Sequence, residues 1–445
     1  MKKLTSFIYI LLSVLLLTSC DEYLDVKPQD KVIPETLDEF RGLLTRAYEK
    51  VPSDKAKMLV RSDEVKFNMN AMLNDISRFK DIFLWKDETP DKATMSFDWE
   101  GYYKVIFYAN DVIEEGVHAT GGSPEEVDQL VGEAYLLRAL MHFDLVNQYA
   151  KHFDAATAGT DRGVPVATSI DLEKVYEPST VSKVYELIQS DLEMGLDLIN
   201  IESQELGKNY RFSVQAAYAM QARVHLYMGD WKNAQKLALQ VLEKNSKLED
   251  LNSADCKLPN SFDSQESILA LEEGVNSQVI KTVHVSDELV AAYDKDQDLR
   301  FAKYYQDNGG DYVVLKGGDD SYRCTFRTAE MYLIVAETAA RLKDLDKAQD
   351  YLNRLKAKRL TPDFYAQEVT RVAGLKQPAL VAEIMQERFR ELAFEGHRWF
   401  DLRRTTQPEI VHTFGSETAT LKKGDPRYTI RYPQEAIDNN PNLNN

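Results

Sequence analysis

Apolar residues recur at three- and four-residue spacing through most of this 445-residue chain, the signature of helices buried along one face. The clearest run opens at Ser123-Pro124-Glu125-Glu126, a capping box with proline at the first helical position. Behind it Val127, Leu130, Val131, Ala134, Leu137, Met141 and Leu145 share one face of a helix. Similar runs predict helices over about 38–50, 97–116, 180–200, 213–228, 231–244, 325–342, 344–357 and 378–395. The chain is therefore expected to be mostly α.

Two helix pairs are related. Ala222, Asp230 and Ala234 recur at one offset as Ala336, Asp344 and Ala348. Gly229 can end one helix and Asp230 cap the next, and the small alanines allow close crossings. This is the pattern of a tetratricopeptide helix–turn–helix. The run Ala134 to Tyr149 fits a third pair, but the copies are not regularly spaced, which argues against an uninterrupted solenoid. Long irregular stretches intervene at about 51–96, 150–178, 245–285, 300–324 and 405–445, with strand-like runs at Ser267 to Leu271 and Tyr312 to Leu315. Loops of this length usually carry function. The last of them is expected to lie along the surface.

The N-terminus departs from this pattern. Met1-Lys2-Lys3 precedes an apolar run from Phe7 to Leu17, too short for a membrane span, which needs roughly 20 apolar residues. The run closes on Leu17-Thr18-Ser19-Cys20, a lipobox pattern in which Cys20 becomes the lipidated first residue. Residues 1–19 are thus expected to be a signal peptide. Residues 20–37, with Pro28 and Pro34, are expected to form the lipidated cysteine and an extended tether.

The net charge is −18, and loss of Lys2 and Lys3 makes it more negative. Such a surface argues against nucleic acid and against adhesion to anionic lipid. Once Cys20 is lipidated only Cys256 and Cys324 remain, open equally to a single bridge or to two free thiols. No Cys/His metal spacing, phosphate loop or G-x-S-x-G elbow is present, and Gly317-Gly318 lacks the motif around it. His118, His142, His152, His225, His284, His397 and His412 form no H-E-x-x-H. Asp294-Lys295-Asp296-Gln297-Asp298 opens like a calcium loop, but Leu299 and Tyr305 stand where glycine and glutamate are needed. No cofactor or metal is expected.

The segment Glu387-Arg388-Phe389-Arg390-Glu391-Leu392-Ala393-Phe394-Glu395-Gly396-His397-Arg398-Trp399-Phe400-Asp401-Leu402-Arg403-Arg404 resembles the C-terminal signature of the SusD/RagB family. These are nutrient-binding outer-membrane lipoproteins of Bacteroidota, named for a starch-utilisation system. Further matches fall in order along nearly the whole mature chain. They are Cys20 to Asp25; Trp99 to Asn110 with Tyr103 and Ile106; Gly132 to Tyr149; Tyr293-Asp294 with Asp298 and Arg300; Arg327 to Glu337; and Tyr432-Pro433 to Leu443.

The resemblance implies a superhelical base of four tetratricopeptide-like helix pairs carrying an irregular, loop-rich ligand-binding region and a few short strands. Residues 38–445 would form a single domain, with pairs around 97–150, 180–244 and 325–395. It implies a lid on a SusC-like TonB-dependent β-barrel transporter, on the cell exterior, that captures oligosaccharide without performing chemistry. Some members take peptides, so peptide or glycopeptide capture is the nearest alternative. A pure protein scaffold and an exported glycosidase are more distant ones. The chain is shorter than many relatives, with the shortfall in its loops.

Glu387, Glu391 and Glu395 lie four apart, on one face of a helix. Paired carboxylates suit general acid–base work. The same block supplies Arg388, Arg390, Arg398, Arg403 and Arg404, so the preferred reading is a partly buried ion-pair network. Sugar recognition needs flat aromatic faces and planar polar groups. Two loop regions combine them: Phe67, Asn68, Asn70, Asn74, Arg78, Phe79 and Trp85, and then Tyr304, Tyr305, Asp307, Asn308, Asp311 and Tyr312. Trp99 and Trp399 are expected in the core and Trp231 between helices.

Overall fold

The computed structural model describes residues 34–171 and 173–444. The expected signal peptide, the expected lipidation site Cys20 and most of the expected tether lie outside them. The long helices are α1 (Leu37–Glu49), α2 (Trp99–Glu114), α3 (Pro124–Tyr149), α4 (Val181–Leu198), α5 (Val214–Tyr227), α6 (Trp231–Lys244), α7 (Thr328–Arg341), α8 (Leu345–Lys356) and α9 (Gln377–Glu391). Each matches a periodic run. Successive helices pack as neighbours, α2 on α3, α3 on α4, α5 on α6 and α7 on α8, and α7 also rests on α6 and α9. The result is the expected mostly α, tetratricopeptide-like base.

The caps explain where the helices begin. Ser123 accepts the Glu126 amide, and the Glu126 carboxylate accepts the Ser123 amide, the reciprocal box read from the sequence. Thr36 and Glu39 form a second box before α1. The one-face expectation for α3 does not hold. From Leu130 to Leu145 nearly every residue is buried, including Glu133, Arg138, His142 and Asp144. The helix is central, and its polar groups are tolerated because they are partnered: Arg138 pairs with Asp191 at 2.7 Å and with Asn110 at 2.7 Å.

The related helix pairs superpose in their chemistry. Ala222, Ala234, Ala336 and Ala348 are all fully buried. Asp230 caps α6 and Asp344 caps α8 through the same type of bond to an amide three residues on. Gly229 has φ +74° and its counterpart Lys343 has φ +67°. Glycine adopts this left-handed conformation freely, whereas an L side chain costs about 1–2 kcal/mol there. Lys343→Gly is therefore expected to stabilise the chain by about 0.5–1 kcal/mol, measured as a higher urea midpoint. An unchanged or lower midpoint would contradict this account of the turn.

The irregular stretches hold more structure than their sequences suggested. The first contains helices Asp54–Val60 and Leu73–Phe83 around β1 (Val65–Phe67). β1 pairs antiparallel with β2 (Val283–Val285), and β2 lies beside a hairpin of β3 (Tyr305–Asn308) and β4 (Asp311–Val314). Ser267–Leu269 pairs with Phe326–Arg327. A helix that periodicity did not indicate, Pro362–Ala373, buries Val372 in a small core with α7, α8 and α9. After a hairpin of Ile410–Phe414 and Glu417–Leu421, the C-terminal segment forms a helix at Gln434–Asn439 and a 3-10 turn at Pro441–Leu443. Cys256 and Cys324 are both free thiols.

Candidate functional site

The C-terminal charged block is an ion-pair lock. Glu391 accepts from Arg327 at 2.7 Å, Arg300 at 2.9 Å and Arg359 at 2.9 Å. Glu387 pairs with Arg300 at 2.7 Å, and Glu395 with Arg327 at 2.7 Å and with Lys316. The third carboxylate does not continue the helical face: α9 ends at Glu391 and Phe394 turns at φ +60°. Most partners come from distant segments rather than from the block's own arginines, and Arg359 carried no sequence signal. Burial alone would raise the Glu391 pKa, but Arg359, Arg327 and Arg300 outweigh it and hold the group well below the ordinary value. A carboxylate so held is a poor proton donor or acceptor near neutrality.

Asp298 likewise caps the helix Leu299–Tyr304 and pairs with Arg300 at 2.7 Å. The Asp294 carboxylate accepts the amides of Asp296 and Gln297.

The two predicted sugar-binding regions come together, but largely as a core. Trp85, Phe79, Tyr304 and Tyr305 are 1%, 0%, 0% and 4% exposed, so none presents a face to a ligand. Trp85 stacks on His412 at 4.2 Å, and His412 stacks on Phe83 at 3.9 Å. The Trp85 indole N–H donates to the Arg61 carbonyl at 3.1 Å. Tyr304 lies under the Lys316 ammonium, and Tyr305 bonds the Tyr293 hydroxyl. These aromatics fasten the β1–β2 and β3–β4 strands to the helical base.

The polar members remain at the surface. Asn70, Asn74 and Arg78 are exposed, as are Asp307 and Asn308 on the hairpin. Asn68 is engaged with the Lys281 carbonyl and the Asn70 amide. Asp311 is engaged by Lys66 at 2.7 Å and His284 at 3.2 Å, and Tyr312 by the Lys295 ammonium.

A concave site lies elsewhere, at the start of α2. A cleft of about 740 Å³ is bounded by Phe97, Trp99, Tyr103 and Tyr176, by Asp54, Lys57, Asp98 and Glu100, and by the C-terminal segment from Pro433 to Leu443. That volume is in the ordinary range for small-ligand sites. Trp99, expected in the core, is only partly buried. Its ring meets Tyr103 at 5.0 Å, Tyr149 at 4.8 Å and Tyr432 at 5.1 Å, so its neighbours hold it in place at the cleft wall. Trp399, by contrast, is buried against Tyr428, and Trp231 packs beneath Arg341, as expected of each.

The local sequence builds this wall. Asp98 caps α2 by accepting the Gly101 amide at 2.9 Å. A Cβ on residue 101 would lie 2.3 Å from the Asp98 carboxylate as it stands, so a larger residue there would oblige that side chain to shift. Lys57 bonds the Ser96 carbonyl and pairs with Asp54 at 2.6 Å, while Asp54 accepts the Asp98 amide. The Tyr103 hydroxyl donates to Pro165, and Asn440 donates to the Tyr176 carbonyl, tying in the far side. The hydroxyls of Tyr149 and Tyr176 are buried without a hydrogen-bond partner among the described residues. The arrangement offers aromatic edges and faces beside carboxylates and amides, suited to binding a polyhydroxylated ligand.

These features define a helical-repeat binding protein with a loop-built cleft. Residues 22–226 match a family model described as starch-binding associating with outer membrane, and residues 296–445 match the SusD family model. The chain belongs to the SusD/RagB family. It is 23% identical to SusD-like protein P38 of Formosa agariphila, over 91% of this chain and 92% of that one. A SusD superfamily protein from Bacteroides thetaiotaomicron has a TM-score of 0.76 at 21% identity, covering 92% of this chain and 98% of its own. A laminarin-binding SusD-like protein has a TM-score of 0.63 at 20% identity, covering 83% and 92%.

Proposed function

We propose that this protein is a cell-surface lipoprotein, anchored through Cys20, that captures oligosaccharide in the cleft beside Trp99. It would act as the lid of a SusC-like TonB-dependent outer-membrane transporter and perform no chemistry on its cargo. The observation that carries the reading is the cleft itself, in which partly exposed aromatic rings stand beside planar carboxylate and amide groups. Membership of the family, the outer-membrane description of its model and the laminarin named for one structural neighbour support it. Among the described residues no helix is long and apolar enough to cross a membrane, so attachment would rest on the lipid.

The test is calorimetry of the soluble chain from Asp21 onward against a panel of glycans and a peptide pool. Trp99→Ala is expected to weaken a glycan hit about tenfold, equivalent to about 1.4 kcal/mol, while the melting profile shows a folded protein. Peptide binding without glycan binding would replace this reading by peptide capture. Undiminished glycan affinity in the variant would move the site away from the cleft.

A further inference from the structure

This inference rests on the cleft being the glycan site, and concerns which glycans it accepts. The charges lining the cleft are unevenly matched. Asp54 is neutralised by Lys57, whose ammonium also bonds the Ser96 carbonyl. Lys174 lies with its ammonium 4.8 Å from the centre of the Tyr176 ring. Asp98, Glu100 and Glu435 are exposed at the cleft, and none has an ion-pair partner among the described residues. Asp98 uses one carboxylate oxygen to cap α2 and keeps the other for a ligand.

Among the described residues, a sugar entering here meets three exposed carboxylates without an ion-pair partner against one exposed ammonium, that of Lys174, so the charge it faces is on balance negative. An anionic unit would give up hydration and face like charge, an arrangement that rejects ligands as effectively as good contacts select them. An ammonium group on the sugar would gain exposed ion pairs, each worth about 0.2–1 kcal/mol and therefore up to about fivefold in affinity.

We propose that the cleft sorts glycans by charge: it takes neutral units, favours units carrying a free amino group, and rejects uronic acids and sulfate esters. The test uses the intact soluble chain, at low and at physiological salt, with three probes: a glucosamine oligomer, its N-acetylated counterpart and an oligogalacturonate. At low salt the glucosamine oligomer is expected to bind about five- to tenfold more tightly than the N-acetylated one, and the uronate at least about tenfold more weakly. Both ratios should shrink with salt and collapse toward one in the double variant E100Q/E435Q. The substituted side chains are exposed, so the variant should melt like the parent. Uronate binding as tight as that of the neutral oligomer, or ratios unchanged in the double variant, would overturn the inference. So would a glucosamine oligomer that fails to bind while a neutral glycan of the wider panel does. Failure of every glycan would overturn the underlying capture reading instead.

Discussion

Replacing Glu391 by alanine is expected to remove about 3–5 kcal/mol of folding stability, a large part of what a typical domain possesses. The side chain is fully buried and neutralises three guanidinium groups that have no access to water: Arg300, Arg327 and Arg359 are each at most 1% exposed. Deleting the carboxylate leaves their positive charge undercompensated in a dry interior. Removing charge from both sides should be milder. The pair Arg359→Leu/Glu391→Leu is expected to cost less than the sum of the two single losses, because one charge of each sign is removed together while Arg300 keeps Asp298 and Glu387, and Arg327 keeps Glu395. Urea unfolding of the soluble chain at neutral pH measures this. A single-variant loss below about 1 kcal/mol would refute the network as a stabilising element.

A second buried ion pair, Glu337 with Arg404 at 2.7 Å, sets an acid limit. Burial alone would raise the pKa of Glu337, but Arg404 outweighs it and holds the group at about 2. A carboxylate depressed on folding contributes stability that is complete above its ordinary value of 4.5 and is lost as pH falls toward the folded value. Stability should therefore decline between about pH 4.5 and 2. In Glu337→Gln that part of the slope should be shallower.

The second large effect concerns Trp85. Trp85→Ala is expected to cost about 3–5 kcal/mol of stability while leaving the glycan affinity of the folded fraction unchanged. The ring is covered rather than displayed: His412 stacks on it at 4.2 Å, and the indole N–H is satisfied by the Arg61 carbonyl. Truncation would open a cavity and unseat the hairpin Ile410–Phe414/Glu417–Leu421 that carries His412. Thermal melting and calorimetry on the same preparations separate the two roles. A Trp85→Ala chain that melts like the parent but binds glycan poorly would return Trp85 to the ligand site. The contrast with Trp99→Ala, expected to lose affinity at modest cost in stability, is the sharper comparison.

Helix positions were legible because periodicity and capping are local: Ser123 with Glu126, Asp230 and Asp344 act on amides within three residues. The charged block was legible as an ion-pair network because it carries both signs within a few turns. Its partners were only partly so, since Arg359 approaches Glu391 through tertiary packing. The aromatic loops misled for a related reason. A flat ring is equally suited to stacking on a sugar and to closing a core, and the local sequence around Trp85 and Trp99 does not distinguish the two.

By itself, the sequence determined the helical repeat base, the relation between the two helix pairs and the family. These follow from spacing, caps and a long ordered motif. Only the tertiary structure decided which tryptophan faces the cleft at the start of α2, that Cys256 and Cys324 stay unbridged, and which segments line that cleft. Burial depends on what packs above a residue. For Trp85 that is a hairpin more than three hundred residues away in the chain; for Trp99 it is the C-terminal segment, which leaves the ring partly open.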